Sequence, residues 1–518
     1  MSTDPTAPPA AEPSLSPQRI RFTMLGIMLA MLLAMLDNAI VGTSMPTIVS
    51  DLGGLAHISW VVTAYTLATA ASTPVWGKLG DLYGRKHVFL ASIGVFLLGS
   101  VLSGASQSMS QLIGFRAIQG LGAGGIAALA ITLIGALVPP RERGRYQGMT
   151  AAVMVIGTVG GPLVGGVVAD HLGWRWAFYI NIPLGLIALA WSAVMVKLPA
   201  IRAKARIDWL GIFLMTTTIS AIVLAATWAG TQYAWGSWQI LSLFALVVAG
   251  LVSFIAWQRR APEPVFPLRV FSERNFVLSS VMIFGAGAVM FGATLYLPLF
   301  QQSVQGASAT NSGLLLMPMM IPVALVSNIA GKAMSRTGKY KIFPILGTAC
   351  LAIGTGLLAT MDTDTSRTVA GIYMALVGIG LGFMLQMTTT IAQNSVEMRD
   401  MGVASAGVTL FRTIGGSLGV AIFGSLFTHA TASHLPTSGT GSGESTQISA
   451  SALAKLPAQA RDAYLESVAS GTQHIFLLAA CLCAAAFVAA LFVKEIPLRG
   501  KPTPPKAAAE QASTSRTA

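Results

Sequence analysis

Apolar positions run on along this chain for about twenty residues at a time, broken by short polar turns. The stretches fall at 20–44, 57–77, 87–106, 111–137, 146–169, 175–196, 208–229 and 238–257. A second set follows at 276–300, 312–334, 342–361, 368–394, 402–428 and 473–493. A helix needs roughly 20 apolar residues to cross the hydrocarbon core, and at this length a helix bundle is what satisfies its own backbone in lipid. The pattern predicts an all-α polytopic membrane protein with fourteen spans. Pro318 and Pro322 interrupt the tenth and a polar run near Gln386 the twelfth. The one long polar interval, 429–472, is rich in Ser, Thr and Gly, and a short amphipathic helix is expected around Gln459–Ser467.

Composition agrees. Of 518 residues, 54% are hydrophobic and 10% charged, against about 25% charged in a soluble domain. The net charge of +13 would suit a nucleic-acid partner, but its distribution excludes that reading. About 26 of the 32 Lys and Arg fall in alternate loops and in the two tails. The intervening loops carry Arg175, Arg367, Lys455 and Arg461. This is the positive-inside bias, which puts both termini in the cytoplasm and requires an even number of spans. Localisation in the plasma (bacterial inner) membrane follows. The segments 1–19 and 495–518, rich in Pro, Ala and Ser or Lys, read as disordered cytoplasmic tails. Cys350, Cys481 and Cys483 lie inside apolar spans and make neither a disulfide framework nor a metal site. No cofactor is expected.

An internal repeat organises the spans. Gly77-Lys78-Leu79-Gly80-Asp81-Leu82-Tyr83-Gly84-Arg85 aligns with Gly331-Lys332-Ala333-Met334-Ser335-Arg336-Thr337-Gly338-Lys339, each after the second span of its set. Gly160-Gly161-Pro162-Leu163 matches Gly415-Gly416-Ser417-Leu418 more loosely. Two six-helix halves, 20–197 and 276–494, with two inserted helices and their linkers over 198–275, are the simplest account. Transporters are commonly built from such repeats, with the substrate site at their interface.

Asp37 lies deep in the first span, where low dielectric favours the neutral acid. A carboxyl there suits proton exchange or pairing with a cationic substrate. A plainer reading places it near the outer interface, or capping a break before Pro46. Arg116 in the fourth span is expensive in lipid and stays charged, so it biases a nearby acid or snorkels to the interface. Gly120-Leu121-Gly122-Ala123-Gly124-Gly125 matches a dinucleotide-binding pattern but follows no strand, and small residues there let helices pack closely. Gly148, Gly157, Gly161, Pro162, Gly165 and Gly166 give the fifth span a smooth face that serves as a seal or hinge between halves. In the 77–86 loop, Asp81 can accept hydrogen bonds from a helix N-terminus or an Arg as a latch, or the loop is a plain basic anchor.

These residues resemble the major facilitator superfamily, and within it the fourteen-spanner drug:proton antiporter branch. Gly77-x-Leu79-x-Asp81-x-x-Gly84-Arg85-Lys86 is similar to the family's loop 2–3 motif, and Arg116-x-x-Gln119-Gly120-x-Gly122 to its span-4 motif. The span-5 glycines match its antiporter motif in full spacing. Leu36-Asp37 through Pro46 is similar to its span-1 motif, with Ala39 where Thr is usual and Gly42 where Asn is usual. The resemblance implies a bundle arranged 6+2+6, alternating access, and proton influx driving export. It implies Asp37 as the proton or cation site with Arg116 as modulator. Gly77, Asp81, Gly84, Arg85 and Lys86 would form the inner gate and the span-5 glycines the antiporter hinge.

Candidate cavity linings are Asn38, Trp60, Tyr65, Gln119, Tyr296, Gln301, Asn328, Gln386 and Gln393, mixed with Phe300 and Met317. Some members of the family this chain resembles carry acids in late spans that suit divalent cations; the thirteenth span here offers Arg412 and no acid, so the resemblance implies monovalent, neutral or zwitterionic amphiphiles as cargo. The expected partners are a small amphiphilic substrate, protons and the lipid bilayer, and the expected state is a monomer. A dedicated exporter of one natural product, metabolite or lipid is the alternative. No nucleophile elbow, metal spacing or P-loop pattern appears in the sequence, which disfavours an enzyme and an ATP-driven pump.

Overall fold

The computed structural model describes residues 17–53, 58–138, 171–196, 207–229, 232–307, 315–434 and 458–497, with scattered positions from 146 to 168. The helices are α1 (Pro17–Leu52), α2 (Ile58–Tyr83), α3 (Arg85–Gly104), α4 (Met109–Leu137), α5 (Trp176–Tyr179), α6 (Asn181–Met195) and α7 (Trp209–Trp228). They continue as α8 (Trp238–Gln258), α9 (Arg274–Ser303), α10 (Met317–Thr337), α11 (Ile342–Leu358), α12 (Arg367–Ser395), α13 (Met401–His434) and α14 (Ala458–Leu491). The described positions from 146 to 168, in the fifth predicted span, are also helical. Among the described residues, eleven helices are long and apolar enough to cross a membrane, α5 and α6 together making one. The helix α2 falls outside that count because hydroxyl side chains run along it. They are spent locally: Thr69 donates to the Tyr65 carbonyl at 2.7 Å, and Ser72 to the Leu121 carbonyl of α4 at 3.2 Å.

Serine caps start three helices: Ser108, Ser237 and Ser366 accept from the backbone N–H three residues on, in α4, α8 and α12. The internal repeat is visible in the backbone. Gly84 and Gly338 occupy matching repeat positions, with φ of 92° and 71°. Each ends the second helix of its set in a conformation that suits glycine.

Three differences from the sequence expectation stand out. First, α1 is one helix through position 46, so the alternative break before Pro46 is absent and Asp37 lies in mid-helix, as its place deep in the span led one to expect. Second, α13 extends to His434 and α14 begins at Ala458, so both flanks of the loop expected over 429–472 are helical, and the rest of it, 435–457, lies outside the described residues. Third, the segment 459–467 is the first part of the last spanning helix, not a separate amphipathic one. The expected tails lie almost wholly outside the described residues.

Side chains from Ile20 to Val196 form one apolar core and those from Phe266 to Val493 another. A smaller cluster joins them. Met215, Ile219 and Val223 of α7 pack on Ala70 and Ala71 of α2 and on Leu410 of α13. The helix α7 thus lies as a strap across the seam between the two cores. The helix α8 lies outside α7, with Trp238, Val248 and Val252 exposed, as suits a surface facing lipid. Asp208 ties the strap together: its carboxylate accepts from Gly211 N at 2.8 Å, Trp257 Nε1 at 2.7 Å and Gln258 Nε2 at 2.9 Å.

Candidate functional site

Asp37 is wholly buried and surrounded by donors from two other helices. Arg116 Nη1 of α4 donates to its Oδ2 at 2.5 Å. Gln119 Nε2 of α4 and Asn181 Nδ2 of α6 each donate to Oδ1 at 2.7 Å. Arg116 Nη1 also donates to Gln119 Oε1 at 2.9 Å. Asn181 Nδ2 reaches Ser100 Oγ of α3 at 2.9 Å, and that hydroxyl donates to the Phe178 carbonyl at 2.9 Å. The Arg116 guanidinium lies over the Tyr65 ring of α2, 4.0 Å from its centroid, a cation–π contact. Two helices thus donate directly to the carboxylate of α1, and α2, α3 and α5 join the network through Tyr65, Ser100 and Phe178. The network is incomplete: among the described residues, Arg116 Nε and Nη2 and Asn181 Oδ1 have no hydrogen-bond partner. A charge pair sealed from water with unmet donors is poised to rearrange when its charge changes.

The local sequence makes that meeting possible. A Cβ at Gly99 would overlap the backbone of Gln119, and one at Gly120 would overlap the Tyr65 carbonyl, so α4 approaches α3 and α2 closely. The fifth span meets α1 beside Asp37. A Cβ at Gly157 would press on Met35 and one at Gly161 on Ala39. Gly165 is buried, whereas Gly148, Pro162 and Gly166 lie outside the described residues. Replacing Gly161 by Val is expected to displace α1 and reduce gradient-driven transport at least ten-fold, with the protein still inserted. Transport rates in vesicles of matched protein content check this, and a wild-type rate would dissociate the glycine face from function.

At the end of the bundle that carries the basic loops, Asp81 bridges three helices. Its Oδ1 accepts from Arg85 Nε at 3.2 Å and Nη2 at 2.9 Å across the turn made by Gly84. Its Oδ2 has no hydrogen-bond partner among the described residues and lies against Gly402 in the first turn of α13, where a Cβ would overlap it. Gly77, one turn earlier, faces the Gly402 carbonyl and Ala406. Lys86 makes no ion pair among the described residues, while Lys78 reaches Glu263 at 3.5 Å. Arg269 grips Asp400 with a two-pronged contact, 2.8 Å on each prong. The hydrogen bond to Asp400 raises the Arg269 pKa further. The N-terminus of a helix favours a nearby carboxylate. The seam between halves is closed here.

The far end has its own tie, within one half. Asp51 accepts from Trp174 Nε1 at 2.9 Å and Arg175 Nη1 at 2.7 Å. These two hydrogen bonds, the Trp174 one foremost, hold its carboxyl below the usual range.

Between the halves lies a cavity of about 50 Å³. Met31 and Met35 of α1, Thr150 and Met154 of the fifth span, Gln386 of α12 and Arg412 of α13 contribute to its wall. Gln386 Nε2 donates to Thr150 Oγ1 at 3.1 Å across the seam. Pockets for drug-sized ligands run to roughly 300–1,000 Å³, so this cavity as it stands is too small to hold one.

Of the cavity candidates, Gln386 alone is in this wall. Tyr65 and Gln119 belong to the Asp37 network. Trp60 packs edge-on to Trp228, centroids 5.3 Å apart. The Tyr296 hydroxyl donates to the Val420 carbonyl at 3.3 Å, and Gln301 to the Leu315 carbonyl at 3.4 Å. Asn328 bonds back to Ala324 at 3.4 Å, Gln393 donates to Ser405 Oγ at 2.9 Å, and Asn38 is exposed. Phe300 is fully buried in the second core. Sequence reasoning missed Asn181, although an amide in an otherwise apolar stretch was a signal, and it did not place Arg412 in the cavity wall.

Comparison with known proteins adds to this geometry. Residues 27–420 match the family model described as Major Facilitator Superfamily. The multidrug transporter protein MdtP of Bacillus subtilis (strain 168) is 39% identical over 401 residues, covering 77% of this chain and 74% of that protein. Multidrug resistance protein 3 of the same organism is 34% identical over 486 residues, covering 91% of this chain and 95% of that protein. Among solved structures, the proton:xylose symporter XylE superposes with a TM-score of 0.63 at 13% identity, over 93% of this chain and 98% of that one. That last likeness is one of fold.

Proposed function

The chain belongs to the major facilitator superfamily, and from that membership we propose that it is a proton-coupled secondary antiporter exporting amphiphilic drugs or toxic compounds by alternating access. It is a membrane transporter and not an enzyme. The proposed architecture completes the eleven long apolar helices with α2, α11 and the fifth span, giving fourteen spans arranged 6+2+6. The halves are 20–197 and 276–494, and the insert is 198–275. Both termini face the cytoplasm of a bacterial inner membrane, and the unit is a monomer in the lipid bilayer.

One observation carries the reading: a wholly buried carboxylate neutralised by Arg116 and ringed by neutral donors from two other helices. With the basic loops inside, the closed seam at Asp81 and Gly402 is the cytoplasmic gate, and the protein faces outward. A proton arriving from outside neutralises Asp37 and leaves Arg116 without its counter-charge. Gln119 and Asn181 must then re-pair, which shifts α1 against α4. The fifth span, seated on α1 through Gly157 and Gly161, transmits the shift to the seam. The Asp81 latch parts from α13, the cavity opens inward, and cargo enters as the proton leaves. Multidrug names among the relatives support the cargo class.

The test is transport in vesicles under an imposed pH gradient, using amphiphilic dyes of each charge type and a protonophore control. Accumulation that the protonophore abolishes is the expected result. A folded protein that moves none of the dyes would overturn multidrug export in favour of a single-product exporter.

A further inference from the structure

Among the described residues, the wall of the central cavity contains one ionisable side chain, Arg412, and no carboxylate. Among the described residues the Arg412 guanidinium has neither an ion-pair nor a hydrogen-bond partner. The contrast with Arg116 is direct, since that guanidinium is neutralised by Asp37. Asp37 is wholly buried behind its own donors and is not part of the wall, so it does not serve Arg412 in this conformation. A guanidinium at membrane depth is unfavourable unless it meets water or an anion. Its position is fixed from behind. The Arg412 carbonyl lies so close to Gly287 of α9 that a Cβ there would overlap it, which anchors α13 at this residue while the side chain faces the seam.

Resting on the export reading above, we propose that Arg412 is an anion subsite, and that the preferred cargo is an amphiphile bearing a carboxylate or similar oxyanion. The planar fork of a guanidinium matches two oxygens at once. Around it, Met31, Met35 and Met154 offer an adaptable apolar wall, and Gln386 and Thr389 offer neutral hydrogen-bonding groups. A cationic cargo would meet an unopposed like charge in the same place. The expectation of monovalent, neutral or zwitterionic amphiphiles therefore narrows to those that carry an oxyanion.

The test is equilibrium binding to the full chain in lipid nanodiscs, which needs no transport. The probes are dansyl-phenylalanine and its carboxamide, alike in shape and differing in the negative charge. The wild type is expected to bind the acid at least ten-fold more tightly than the amide. Arg412→Gln should erase that preference while leaving amide binding within two-fold, and Arg412→Lys should keep most of it. Equal affinities for acid and amide in the wild type would overturn the proposal, as would no measurable acid binding, or a preference surviving Arg412→Gln. Failure of gradient-driven transport with the acid preference intact would instead count against the antiport reading alone.

Discussion

Asp37→Asn protein is expected to lose gradient-driven export entirely and to unfold at markedly lower temperature, whereas the same change combined with Arg116→Gln recovers the temperature but not the export. The single substitution keeps the side-chain shape. It keeps an oxygen for Gln119 and Asn181, but it turns an amide donor toward Arg116 Nη1, where a carboxylate oxygen accepted at 2.5 Å. A buried cation then stands without a counter-charge, and breaking such a pair costs roughly 3–5 kcal/mol. Removing both charges avoids most of that cost, because a buried pair contributes little net stability over neutral groups. Coupling does not return, since no group remains to take the proton. Thermal unfolding and vesicle transport of the two variants check this. A double variant that still exports against the gradient would move the coupling site away from Asp37.

The second large effect is expected at Gly402. Alanine is a better helix former than glycine by roughly 0.5–1 kcal/mol, so propensity alone predicts a more stable α13. Packing predicts the reverse. A methyl group at 402 would overlap the Asp81 carboxylate, which Arg85 holds with two hydrogen bonds and cannot release without losing them. A charge-assisted contact outweighs a helix-propensity gain of that size. Gly402→Ala should therefore hold the basic end open. The expected readouts are a ten-fold or greater fall in export and faster amide exchange in 77–86 and 401–406, with exchange in α3 and α4 unchanged. Wild-type exchange across that seam would mean that Asp81 yields freely and is no latch.

Much of the bundle was legible because a bilayer imposes its thickness on sequence. Asp37 was legible for a related reason: a carboxyl among leucines and isoleucines has few innocent explanations. Its partners were harder to read. Gln119, taken as a cavity residue, turns to Asp37, and Asn181, 144 positions away, was not considered. The cavity was least legible. A polar side chain in a spanning helix can satisfy itself on its own backbone, as Asn328 does on Ala324 and Thr389 on Leu385. Polarity alone therefore does not say which face of a helix looks inward. That rotation is set by close approaches such as Gly287 on Arg412 and Gly161 on Ala39, which depend on pairs far apart in the chain.

On the export reading proposed above, the position of α7 restricts how cargo dissolved in the membrane would reach the central cavity. Where α7 lies on Ala70, Ala71 and Leu410, the flank between α2 and α13 is roofed over, with α8 as a second layer toward the acyl chains. Sideways entry from a leaflet is shut along that flank. On that reading an amphiphile partitioned into lipid would come in by the other flank or first return to water, so the α7–α8 pair would make recruitment from the membrane one-sided.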